Sequence, residues 1–155
     1  MRMPLVSRLL FTLSAIGQSV GAHVADWSST HLFNNRWPPH AKFHTGQTLS
    51  MSLLLPLLAI LFAWRKTSDP RQAVLAAAGF SAAYWVTQAT AIAYPNTGFY
   101  DPEFGTAESV RSGLPTQAYF EVGFLSTIGL ASWLAMRGSL DGPLAQIEEQ
   151  KGERQ

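Results

Sequence analysis

The 155-residue chain has no cysteine, and that absence removes several chemistries at once. Disulfide frameworks, thiol redox catalysis and cysteine-ligated zinc or iron–sulfur centres are excluded. Charge is scarce too: 14% of residues are Asp, Glu, Lys or Arg, against roughly 25% in soluble domains. A formal net charge of +1 leaves no basic face for a nucleic-acid partner. The chain has no CxxCH for covalent haem, no HExxH zinc motif and no internal repeat. Apolar sequence is plentiful instead, in four long runs. The mean hydropathy of +0.07 averages these runs with polar connections and a charged tail, and so understates them.

Residues 9–25 carry no Asp, Glu, Lys or Arg, follow Arg2 and Arg8, and close at Asp26-Trp27. That pattern suits a transmembrane helix, and also a cleaved signal peptide. Gln18, Ser19, His23 and Asp26 recur at helical spacing, which favours the retained helix. Residues 28–38 read as a loop between Trp27 and Trp37, both placed as interfacial anchors. Pro39 suits the first turn of a second helix running to Trp64, where Arg65-Lys66 stops it. Pro56 lies inside that helix, so a neighbour must satisfy the carbonyl it frees.

Asp69-Pro70 caps a third helix, and Gln72 to Tyr94 is uncharged and rich in small residues that allow close helix approach. Residues 95–115 read as an ordered surface loop or a short re-entrant segment. A fourth helix starts at Pro115-Thr116 and is expected to stop at Arg137. The expected fold is all-α: an integral membrane four-helix transmembrane bundle over residues 1–137, then a flexible cytoplasmic tail over 138–155. Arg2, Arg8, Arg65, Lys66, Arg71, Arg137, Lys151 and Arg154 fall on one side, but only Arg36, Lys42 and Arg111 on the other. The positive-inside bias therefore puts both termini in the cytoplasm of a multi-pass membrane protein.

This orientation gathers polar groups near the outer ends of all four helices. His40, His44, Gln47 and Met51 form one stripe, since positions i, i+4 and i+7 share a helix face. His44, Glu121 and His40 are the candidate catalytic groups. His23, Asp26, Gln47, Gln88 and Trp37 are candidate substrate contacts. Ionisable groups at membrane depth usually face the bundle interior and mark function. Histidine with carboxylate suits general acid–base chemistry on an apolar substrate. The same donors would suit a His/carboxylate-bound metal, with His40 and His44 as an i, i+4 half-site, or a haem held without covalent attachment. These alternatives stay open. The bland readings are interfacial histidines, anchoring tryptophans and a hydrogen-bonded loop histidine at His31.

The run His31-Leu32-Phe33-Asn34 through Trp37-Pro38-Pro39-His40-Ala41-Lys42-Phe43-His44, followed by an apolar helix, resembles a family of small bacterial and fungal four-helix membrane proteins of DoxX-like layout. That resemblance implies a fold and no defined activity. Ala41-Lys42-Phe43-His44-Thr45-Gly46 also resembles a segment opening the second helix of styrene oxide isomerases, which implies His44 as a haem ligand. The Trp-Pro-Pro-His block departs from that pattern.

Two functions are carried forward. One is a small membrane enzyme transforming a hydrophobic molecule, by isomerisation or oxidation, at an outer-side His/Glu site. The other is a non-catalytic subunit or binding protein in which the His/Trp motif is structural. The implied partners are the lipid bilayer and a hydrophobic small molecule, with assembly into a homo-oligomer left open.

Overall fold

A computed structural model describes residues 1–101, 103–104, 110–111 and 114–152, with backbone alone for 110–111 and 139–152. Four helices follow in order: α1 (Leu5–Asp26), α2 (Pro39–Trp64), α3 (Pro70–Ala91) and α4 (Thr116–Gly152). Two short strands, β1 (Val110–Arg111) and β2 (Leu114–Pro115), pair antiparallel ahead of α4. Helices α1 and α3 each pack against both α2 and α4. So α2 and α4 stand at opposite corners, while α1 and α3 touch across the other diagonal.

The local signals act as their chemistry requires. Pro39 occupies the first turn of α2. The Asp69 carboxylate accepts the Gln72 N–H at 3.0 Å and caps α3 beside Pro70. Beyond α3, Asn96 turns the chain with a φ of 60°, a conformation asparagine tolerates better than most residues. Pro56 lies buried within α2 and cannot donate to the Ser52 carbonyl. The Ser19 hydroxyl of α1 donates to that carbonyl at 2.7 Å and satisfies it across the helix interface.

Packing in this bundle is inverted relative to a water-soluble one. The buried face of α1 carries Ser7, Ser14, Ala15 and Gln18, and that of α3 carries Ala73, Ala77 and Ser81. Large apolar side chains such as Leu13, Ile16, Val20, Leu54, Leu57 and Leu61 point outward. Small and polar residues between helices, with bulky apolar ones outside, is the arrangement that lipid rewards and water penalises. Three helices are long and apolar enough to cross a membrane: α1, α2 and the Thr116–Gly138 part of α4. Helix α3 is as long as α1 at 22 residues, but it falls outside this set. Its Gly, Ser, Tyr, Trp, Thr and Gln residues lower its hydropathy.

One boundary differs from the sequence reading. Arg137 ends the apolar span but not the helix, whose backbone continues to Gly152. The Arg137 guanidinium lies over the Trp133 ring at 4.0 Å, one turn back, a placement that a continuing helix accommodates. The last three residues of the expected flexible tail, 153–155, lie outside the described residues.

Candidate functional site

A cavity of about 260 Å³ opens between α1, α3 and α4, at the end of the bundle that carries the two long connections. Gly17, Gly21 and Ala22 give it a wall of small residues on α1, and Asp26 closes that wall. Helix α3 contributes Tyr84, Trp85 and Gln88, while α4 contributes Gln117, Phe120 and Phe124. Trp85 and Phe124 stack in near-parallel planes with ring centroids 4.2 Å apart. A second cavity of about 170 Å³ adjoins the first through Gln88 and Gln117. Glu121 and the loop residues Thr97, Gly98 and Phe99 line it. Outside both, a groove of about 330 Å³ runs between α1 and α4 and shares Phe120 and Phe124 with the larger cavity.

The cavity walls carry polar atoms with no hydrogen-bond partner among the described residues. Trp85 Nε1, Gln88 Oε1, Gln117 Oε1 and Glu121 Oε1 are all buried in this state. Buried polar groups are nearly always paired, and an unpaired one costs about 1–3 kcal/mol. Four such atoms around adjoining cavities need a partner that the described residues do not supply. Glu121 is only 9% exposed and sits one turn below Gln117 on α4. The Gln117 amide nitrogen is already committed, donating to the Phe99 carbonyl at 3.0 Å.

The sequence-derived candidates separate into three groups. Asp26, Gln88 and Glu121 line the adjoining cavities. His40, His44 and Gln47 do not, and all three are exposed on α2. The stripe itself is real: His44 Nε2 lies 3.1 Å from His40 Nε2, and His44 Nδ1 lies 3.2 Å from Gln47 Oε1. It simply faces outward. The inward stripe of α2 is Thr45, Leu49, Ser52, Pro56, Ala59 and Ala63, one residue out of step. One residue on a helix is about 100°, enough to turn the histidines away from Glu121. The expected His44–Glu121 site is therefore not assembled within the chain. His23 turns toward α2, its Nδ1–H donating to the Ser19 carbonyl at 2.9 Å with the Ser52 hydroxyl 3.5 Å away.

The third group holds the loops together. Trp37 Nε1 donates to Asp101 at 3.2 Å, and the Trp37 ring meets His31 edge-on at 5.3 Å. His31 Nε2 lies 3.7 Å from Asp26. Asn34, 4% exposed, donates to Glu103 at 3.0 Å, and Arg36 pairs with the same carboxylate. Asn34, Arg36 and Trp37 thus clasp the α1–α2 loop to the α3–α4 loop, and His31 braces Trp37 from its own loop. Phe99 and Tyr100 of that second loop reach the first turn of α4, where the Tyr100 hydroxyl accepts the Thr116 N–H at 3.0 Å.

Tyr84, Trp85 and Gln18 were not singled out as site residues by the sequence reading. Their signal was present as polar or aromatic side chains at helical spacing among alanines: Ser81, Trp85 and Gln88 on α3, with Gln18 on α1. Gln18 is 1% exposed, and its amide nitrogen is likewise unpartnered. Among the described residues no group of three or more His, Asp or Glu converges as a metal cluster. A haem gripped by His44 from inside the bundle does not fit, because His44 faces outward and its ring is engaged by His40 and Gln47.

Fold and cavity together define a small helical-bundle protein with three membrane-competent helices and a pocket enclosed by α1, α3 and α4. The chain belongs to the DUF6640 family, a family of unknown function, whose model matches residues 10–139 and so takes in most of α1, all of α2 and α3, and α4 through its apolar part. No curated protein and no solved structure matches it.

Proposed function

We propose that this protein is a four-helix membrane enzyme, with both termini cytoplasmic, that isomerises a small, mainly apolar molecule bearing a hydroxyl or carbonyl group. The four unpartnered buried polar atoms around the adjoining cavities carry this reading. Three of them are acceptors and one is a donor: a ligand hydroxyl accepts the Trp85 N–H and donates to one acceptor, which leaves the other two to water. The larger cavity falls below the roughly 300–1,000 Å³ of sites for drug-sized ligands, which favours a smaller substrate. The α1–α4 groove behind Phe120 and Phe124 offers a lateral path from the bilayer. Asp26 and Glu121 are the groups suited to remove a proton from one carbon and return it at another. Such a transfer balances without any electron acceptor. The DoxX-like layout suggested by the sequence is compatible with this reading.

A second reading, a non-catalytic subunit or binding protein, draws on the loop clasp, because the most distinctive motif residues there are engaged in structure. One experiment separates the two. Small molecules extracted from membranes expressing the wild type are compared, by chromatography coupled to mass spectrometry so that isomers of equal mass separate, with those from Gly21→Leu, Asp26→Asn and Glu121→Gln. Gly21 lines the cavity and a Cβ there meets nothing within 4 Å, so a larger side chain at this position takes up cavity space. The enzyme reading expects an apolar molecule to accumulate in all three variants and an isomer of equal mass in the wild type. Co-purification with the wild type, loss with Gly21→Leu and no isomer anywhere would support the binding protein instead.

A further inference from the structure

The outward histidines of α2 take no part in the cavity, and their geometry is specific. We infer that His40 and His44 form an outward-facing binding site for a divalent transition-metal ion of the zinc, nickel or copper class. Their Nε2 atoms stand 3.1 Å apart. With metal–nitrogen bonds of about 2.0–2.1 Å, that separation subtends roughly 100° at a shared ion. The angle lies between square-planar and tetrahedral values, so one ion can take both nitrogens with little side-chain movement.

A second observation is the state of the far ring edge of His44. Gln47 Oε1 can only accept, so His44 Nδ1 carries the proton and the Nε2 lone pair points at His40. This is the outer-shell arrangement that orients metal-bound imidazoles. In the metal-free chain His40 Nε2–H must then donate to His44. Metal binding requires His40 only to move that proton to its other ring nitrogen, with no net change in protonation.

The surroundings are compatible with a cation. The Phe43 ring, 66% exposed, stacks parallel to His40 and edge-on to His44. Lys42 is two residues from each histidine, a spacing that does not share their face. The positive end of the α2 dipole opposes a cation, but that effect fades within the first turn, and only His40 lies there. With two protein ligands the remaining coordination positions belong to water, so the ion is exchangeable.

The test is isothermal titration of Zn²⁺ and Ni²⁺ into full-length protein in mild detergent, purified through a tag without histidine. The expected result is one ion per chain, abolished by His40→Ala or by His44→Ala and unchanged by His31→Ala. Gln47→Leu keeps the stoichiometry and weakens binding by about tenfold or more, as removal of an orienting partner does. All three α2 side chains are exposed, and unchanged helical circular dichroism checks that the variants fold. Absence of saturable binding would overturn the assignment. So would binding that persists in the His40→Ala, His44→Ala double variant, or a Gln47→Leu variant that binds like wild type.

Discussion

At Gly17 a lone hydrogen stands where any other residue would set a carbon 2.8 Å from Cζ and 2.9 Å from Cε1 of Phe124. The ring cannot retreat freely, because its other face stacks on Trp85. Gly17→Ala should therefore disturb the Trp85–Phe124 pair that borders the cavity. Overpacking of this kind costs about 1–3 kcal/mol, visible as a lower unfolding temperature in detergent. Gly21→Ala, with open space around its Cβ inside α1, should not lower that temperature. Residue identity was legible in the sequence at this scale, but rotation was not. His40, His44 and Gln47 do share a face, as their spacing requires. Nothing in the spacing tells which face of a mainly apolar helix turns inward. Lipid accepts large side chains that water would drive to the core, so bulk apolar residues give no bearing. The inward stripe of α2 instead follows its small and hydroxyl residues, Thr45, Ser52, Ala59 and Ala63.

Among the elements, α2 shows most directly how sequence chemistry becomes a tertiary contact. Pro56 removes the donor that Ser52 O would otherwise accept, and Ser19 replaces it from the next helix. Ser19→Ala should destabilise the bundle by about 1–2 kcal/mol, the range for an interhelical bond whose loss strands a buried carbonyl. Pro56→Ala restores the backbone N–H, so in that background Ser19→Ala should cost clearly less. Additive losses in thermal or denaturant unfolding would show that the two residues are not coupled. The four helices themselves were readable from length, caps and prolines, and α2 begins and ends at Pro39 and Trp64 as its sequence indicates. The end of α4 was not, because a charged residue stops an apolar run without interrupting backbone hydrogen bonds. The loop clasp was also hidden. Trp37 and Asp101 are 64 positions apart, and no local pattern links an indole to a distant carboxylate.

Over the whole molecule, the inverted packing and the polar cavity belong to one design. Small residues between α1, α3 and α4 let the helices approach, and where the approach is incomplete the larger cavity remains. A small apolar molecule must be able to enter this space if it is a substrate site. The absence of native cysteine makes a direct measurement available: the reaction rate of a single introduced thiol with N-ethylmaleimide, a small neutral reagent, in native membranes. Ala22 lines the cavity at 7% exposure, whereas Ala77, at 0%, lies in the core and lines neither cavity nor the groove. Ala22→Cys should react at least tenfold faster than Ala77→Cys, and adding Gly21→Leu should bring its rate down toward that of Ala77→Cys. Equal, slow rates at both positions would mean a closed core with no site between α1, α3 and α4, and would contradict the account.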